Sequence, residues 1–430
     1  MTPEIKQRID QVCRGEVPEG YQRTILGIEP RSWNKSRIDK ICRLSSCSTP
    51  RRDAVENFNG DILWVTSGEL KRRTIWDTRE KISETAVVNS HLEIYDPGTV
   101  VIAIYGLEAA GIRGTVSIIG KQCTISQACM AFTEFKGVDN EFFYYWYLNN
   151  GQVIGLRYAQ GTKQQNLSTD IVGSFPICFP SQGEQQRIAA ILTTQDKVIE
   201  LKERRLAEKQ RQKKYLMQQL LTGKKRLPGF SEEWKIKPLK KLTEKQKKKN
   251  HGFQYRLVLS NSAQHGIVSQ DQEFDKEIAN EERIDGYYVV IPGAFVYNPR
   301  ISVTAPCGPI NVNETGETGI MSPLYTVFTI SSPQISQDFL KYYFQSSCWY
   351  KYVKGVANYG ARHDRISISD GDFFDMPIPL PTKEEQSYIA KVLSASNREI
   401  ELLQQDIEQE KQKKKALMQL LLKGIVRVKI

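Results

Sequence analysis

The sequence predicts an α+β fold in which two pseudo-repeated globular blocks are separated by two long antiparallel coiled-coil helices. Three observations carry that expectation. Residues 176–226 align without a gap on residues 377–427 at an offset of 201, with 20 identities in 51 positions. Each aligned segment places apolar residues seven apart in an otherwise polar stretch, the pattern of a helix lying along another helix. The stretches ahead of them hold short apolar runs punctuated by glycine, such as GTVVIAIYG and GTVSIIG, which read as twisted strands and turns.

In chain order, residues 1–33 form an N-terminal segment ending at Trp33, which the same offset aligns on Trp234. Residues 34–180 form the first block, with DNEFFYYWYLNN as an aromatic-rich helix whose rings pack a core. Residues 181–223 form the central helix. Ser181 is its N-cap, Glu184 completes a capping box, and Gly223 suits the left-handed position past the last turn. Its seam is Leu192, Ile199, Leu206 and Leu220, interrupted by Lys213. A linker over 224–234 leads to the second block, 235–381. There Pro292-Gly293 parallels Pro97-Gly98, and DFLKYYFQ parallels EFFYYWYL. Residues 382–424 form the C-terminal helix, capped by Thr382, Glu385 and Gly424. Its seam is Leu393, Ile400, Ile407 and Leu421, interrupted by Lys414; residues 425–430 are a tail. A helix of about 38 residues is roughly 57 Å long. RLAEKQRQKK and EQEKQKKK leave little to bury on a second face, so the pair reads as a spacer.

The 430 residues are 40% hydrophobic, enough for sizeable cores, and carry a net charge of +11. That balance makes nucleic acid the first-choice partner. No apolar run is long enough to span a bilayer, and MTPEIKQRID has no signal core, so no membrane is expected and the cytoplasm is. The eight cysteines form no CxxC and the four histidines lie far apart, so no metal site is expected. The sequence holds no GxxxxGK[ST], no GxGxxG and no Asn-Pro-Pro-Tyr-type tetrapeptide. Gly-Leu-Glu-Ala-Ala-Gly at 106–111 lacks the middle glycine of a nucleotide loop. Glu134-Phe135-Lys136 has the ExK spacing of nucleases without an upstream acidic partner. The chain is therefore expected to be non-catalytic and to hold no cofactor of its own.

Basic and amide-rich loops remain. Arginine pairs bidentately with the guanine edge, and asparagine or glutamine with the adenine edge. Lys163, Gln164, Gln165 and Asn166 in the first block sit where Arg362, His363 and Arg365 sit in the second, so each block is expected to read its own sequence. Asn298 and Arg300, at a strand end, are further candidates for base contact. Lys71, Arg72 and Arg73, with Lys247, Lys248 and Lys249, are candidates for phosphates, which fix position without sequence preference.

Taken together, these features resemble the specificity subunit of a type I restriction-modification system. The resemblance covers essentially the whole chain. It rests on the helix starts PSQGEQQRIAAIL and PTKEEQSYIAKVL, the Ile-Glu-Leu triplets at 199–201 and 400–402, and the endings LMQQLLTG and LMQLLLKG. Trp33, Trp234, GTKQQNLS and GARHDRIS add to it. It implies two target-recognition domains, each reading one half of a bipartite site in double-stranded DNA. It further implies two modification subunits that bind S-adenosylmethionine and methylate adenine, and restriction subunits using ATP and Mg. A stand-alone DNA-binding regulator and a coiled-coil adaptor without nucleic acid are the alternative readings.

Overall fold

The computed structural model describes residues 2–105, 115–158, 167–270, 281–358 and 364–428. They divide into two units, one made of residues 1–202 and 406–430, the other of residues 203–405.

In the first unit, β1 (Arg43–Ser45), β2 (Thr74–Ile75), β3 (Val100–Ala103), β4 (Val116–Ile119) and β5 (Cys129–Thr133) form one sheet in the order β1-β5-β3-β4-β2. All its pairs are antiparallel except β2 with β4. Successive side chains of a strand point to opposite faces. Val100 and Ile102 therefore enter one core, with α1 (Asn140–Tyr158), while Val101 and Ala103 enter a second, with Leu63, Val65 and Cys123. Cover on both faces explains an unbroken apolar strand in place of an alternating one. Phe142 through Tyr147 are buried, as the core reading of the aromatics expected. Asp139 starts α1 by accepting the Phe142 N–H at 2.9 Å.

The second unit repeats this plan. β6 (Thr243–Lys245), β7 (Phe295–Tyr297), β8 (Ile310–Val312) and β9 (Thr326–Ile330) pair in the order β6-β9-β7-β8, the order of β1-β5-β3-β4. Gly98 and Gly293 both have positive φ at the turns into β3 and β7. Asn34–Arg37 pairs antiparallel with Pro176–Phe179, and Lys235–Pro238 pairs with Pro377–Leu380.

Those pairs lead into α2 (Gln182–Leu220) and, past α3 (Gln337–Gln345), α4 (Lys383–Leu421); the two long helices have 39 residues each. Gly223 and Gly424 take the left-handed conformation beyond their ends. Within the first unit, residues 182–202 run antiparallel to 406–421: Asp196 meets Lys414 at 2.6 Å and Lys202 meets Asp406 at 2.8 Å. Within the second, Lys209 meets Glu399 at 2.8 Å. Leu192, Ile199, Leu220, Leu393, Ile407 and Leu421 are buried, and Leu206 and Ile400 half-buried. Polar layers at Gln195, Lys202 and Lys209 alternate with them. The capping boxes need a correction. Thr382 does accept the Glu385 N–H at 3.3 Å, but Glu184 and Glu385 turn to arginines, which hold a carboxylate more strongly than a backbone amide does. Among the described residues no helix is long and apolar enough to cross a membrane.

Candidate nucleic-acid interface

Five residues shared by the two copies fix the frame that carries the loops. Glu184 receives Arg427 through two hydrogen bonds of 2.7 Å in the first unit. Glu385 receives Arg226 at 2.7 and 2.8 Å in the second, together with the Trp234 indole N–H at 2.9 Å. Each arginine also covers a tryptophan, Arg427 over Trp33 and Arg226 over Trp234. Gly424 and Gly223 leave room for those rings, since a methyl at 424 would fall 2.7 Å from Trp33. Gln185 and Gln386 repeat one another as well: each side-chain amide donates to the proline carbonyl five residues back, and each side-chain oxygen accepts a backbone N–H at the start of the aromatic helix. Sequence reasoning picked out the glutamates, tryptophans and glycines but missed the pairing, because the charged partners are 243 and 159 residues apart. The signal that could have found them is the reciprocity of two Glu/Arg identities.

One difference between the helix seams is a charged contact. In the first unit Lys414 pairs with Asp196, which also accepts the Tyr145 hydroxyl at 2.7 Å. In the second unit the repeat sets Lys213 against Asn397, whose amide donates to Tyr342 at 3.4 Å. Burial holds the Lys213 ammonium below the ordinary lysine range, with Lys341 adding to the effect and Glu401 opposing it.

The candidate phosphate contacts separate into free and engaged groups. Lys71 and Arg72 are exposed just ahead of the edge strand β2 and make no ion pair among the described residues. Arg73 is corrected: it points inward to Glu141, to the Tyr145 hydroxyl at 3.3 Å and to Asp196 at 3.9 Å. All three guanidinium nitrogens donate to groups of this unit, Nε to Tyr145, Nη1 to Thr74 and Nη2 to Glu141 and Thr193, which holds the side chain away from a phosphate. Lys247, Lys248 and Lys249 are exposed along a segment whose Lys248 carbonyl accepts the Val289 N–H.

Among the candidate base contacts, Asn298 is buried. Its amide donates to the Asn261 carbonyl at 3.1 Å and its oxygen accepts the Arg300 N–H at 3.0 Å, so it shapes the turn and leaves no edge for a base. That turn brings Arg300 and Arg365 together across a bridge, 65 residues apart in sequence, with Ile301 and Ile366 N–H groups bonded across it at 3.0 Å. Arg300 is exposed, and Arg365 lies 3.4 Å from Asp364. Lys163, Gln164, Gln165 and Asn166, with Arg362 and His363, lie outside the described residues, as does 106–111. Among the described residues no three His, Cys, Asp or Glu side chains gather as a metal site would need.

Comparison with known proteins fits this frame. Residues 30–210 match the model of the type I restriction modification DNA specificity domain. The chain is similar to the type I restriction enzyme MjaIX specificity subunit of Methanocaldococcus jannaschii, 28% identical over 43% of this chain and 42% of that one. It is similar also to the MjaVIII specificity subunit of the same organism, 23% identical over 93% of this chain and 94% of that one. The matches to the first two such relatives span less than two thirds of their length, 42% and 64%. Among solved structures, the type I restriction-modification S subunit of M. genitalium aligns with a TM-score of 0.50 at 12% identity, over 93% of this chain and 97% of that one. A chain from a study of complex assembly and conformational transition of the type I R-M system aligns with a TM-score of 0.57 at 17% identity, over 93% and 99%.

Proposed function

We propose, taking as premise that the chain belongs to the specificity subunits of type I restriction-modification systems, that it reads a bipartite site in double-stranded DNA for partner enzymes. Each unit supplies one target-recognition domain, and the paired long helices separate the two. The observation that carries this is the matched sheet order, β1-β5-β3-β4 against β6-β9-β7-β8, beneath loops whose side chains differ. A repeated frame with unlike loops suits two half-sites of unrelated sequence. The exposed cations Lys71, Arg72, Lys247, Lys248 and Lys249 would hold phosphates, and Arg300 and Arg365 would face base edges of the second half-site.

The chain performs no chemistry in this reading. Adenine methylation belongs to two modification subunits with S-adenosylmethionine, and cleavage to restriction subunits with ATP and Mg, in the cytoplasm. Two docking points are supported by Leu201 and Leu402, equivalent in the repeat and 63% and 47% exposed. The test is methylome sequencing of cells that co-express this chain with a modification subunit. The expected result is one bipartite adenine-methylated motif. Exchanging residues 34–180 for those of a relative should alter one half only. No motif together with retained DNA binding would favour the stand-alone regulator, and no DNA binding at any salt would favour the adaptor.

A further inference from the structure

Trp76 follows the edge strand β2 and is 68% exposed, whereas Trp33, Trp64, Trp146 and Trp349 are buried. Its seat is shaped for it. β2 runs parallel to β4 with Ile75 opposite Ile119, and the Gly120 N–H donates to the Ile75 carbonyl at 2.9 Å. The indole therefore lies on Gly120, where a methyl would fall 2.7 Å from the ring. One side of the ring rests on backbone and most of the rest meets solvent.

The charges around it are one-sided. Lys71, Arg72, Arg79 and Lys121 make no ion pair among the described residues. The neighbouring carboxylates are engaged: Asp77 with Lys81 at 3.2 Å, Glu80 with Arg52, and Glu69 with the N–H groups of Thr66 and Arg79 at 2.9 and 2.7 Å. An aromatic face beside free cations fits a polyanion that also offers flat rings.

We propose that Trp76 stacks on a base face exposed where the DNA duplex is locally unstacked, while Lys71, Arg72 and Lys121 hold the flanking phosphates. This rests on the DNA reading above. Methyltransferases draw their target base out of the helix, which leaves neighbouring faces open, and stacking on an aromatic side chain is tolerant of sequence. Trp76 would thus add grip on opened DNA and no base preference.

The experiment titrates the full chain with a fully paired duplex and with the same duplex carrying one mismatch, at fixed salt, reading tryptophan emission and affinity. The wild-type chain should bind the mismatched duplex more tightly, with its exposed tryptophan quenched. Trp76→Ala should lose the quenching and the preference, with affinity for the mismatched duplex reduced about tenfold. Trp76→Phe should keep most of the preference without the quenching. Equal binding of both duplexes by wild type and Trp76→Ala would overturn the proposal. So would unchanged DNA binding coupled to loss of a co-expressed modification subunit, which would make the ring a protein contact. Failure of the wild-type chain to bind any duplex would instead remove the DNA reading beneath it.

Discussion

Replacing Asn397 by Asp would give the second unit the ion pair that the first already has. Asn397 and Lys213 stand in the repeat where Asp196 and Lys414 stand, and Asp196 holds both Lys414 at 2.6 Å and the Tyr145 hydroxyl at 2.7 Å. Tyr342 bonds Asn397 and is placed to donate to an aspartate in the same way. Two unit charges 4 Å apart attract by about 4 kcal/mol at an effective dielectric of 20. Desolvating the new carboxylate returns several kcal/mol of that, so a net gain of about 1 kcal/mol at pH 7 is expected, or about 2–4 °C for a unit of this size. The assay is thermal unfolding of the full chain with and without Lys213→Met. That substitution alone should also stabilise at pH 7. The folded pKa of Lys213 lies below its unfolded value, so the unfolded state binds more protons between the two values and stability rises with pH there. The benefit of removing the ammonium should therefore fade towards pH 10.5. If Asn397→Asp gains nothing at pH 7, or gains as much when Lys213 is Met, the pairing argument is wrong.

Four other outcomes are expected. Arg226→Ala leaves Glu385 buried and unpaired, which should destabilise by about 2–4 kcal/mol in urea unfolding, and adding Glu385→Gln should recover part of that; a double variant weaker than the single one would contradict it. The Glu410 carboxyl is held down to about 2 by hydrogen bonds from Gln195 and Lys202. Because its folded pKa lies below its unfolded value of about 4.3, it stabilises above that pH, and the melting gap between wild type and Glu410→Gln should close from about pH 4.5 towards 2. Arg300→Ala and Arg365→Ala should each lose about 1–3 kcal/mol on the cognate site and relax one position of one half-site, whereas an even loss on all DNA would move them to the phosphates. Leu201→Asp and Leu402→Asp should each reduce the modification subunits retained in pull-down from two to one, and retention of both would exclude the leucines from docking.

Most of the frame was legible because it is written periodically. Seven-residue spacing gave both long helices to within three residues at each end, and the glycines at 223 and 424 gave their stops. The aromatic clusters read as core because six large rings in succession can be shielded only on a buried helix. What local reading could not supply was the destination of charge. Arg73 sits in a basic triplet that reads as a phosphate contact, yet Glu141 and Asp196, far along the chain, draw it inward. Asn298 reads as a base-reading amide, yet the turn before Arg300 consumes both ends of its side chain. Glu184 and Glu385 read as caps and serve as anchors for arginines.

The repeat sorts its own residues by role. Leucines identical in the two copies and turned inward, such as Leu192 with Leu393 and Leu220 with Leu421, answer to packing, which both units solve alike. Residues unlike at matched places of the repeat, such as Gln164 against His363 and Asn166 against Arg365, have no packing reason to match. Their difference is what two targets of unrelated sequence would demand. Leu201 and Leu402 fit neither class, being identical and exposed. Packing does not require them, and a target that differs between halves would not keep them alike. A surface met twice by the same partner would, and two identical subunits docking on one asymmetric reader present such a surface. On the proposed reading, one chain would be uniform toward partner enzymes and divided toward DNA, with the two demands falling on different residues of one repeat.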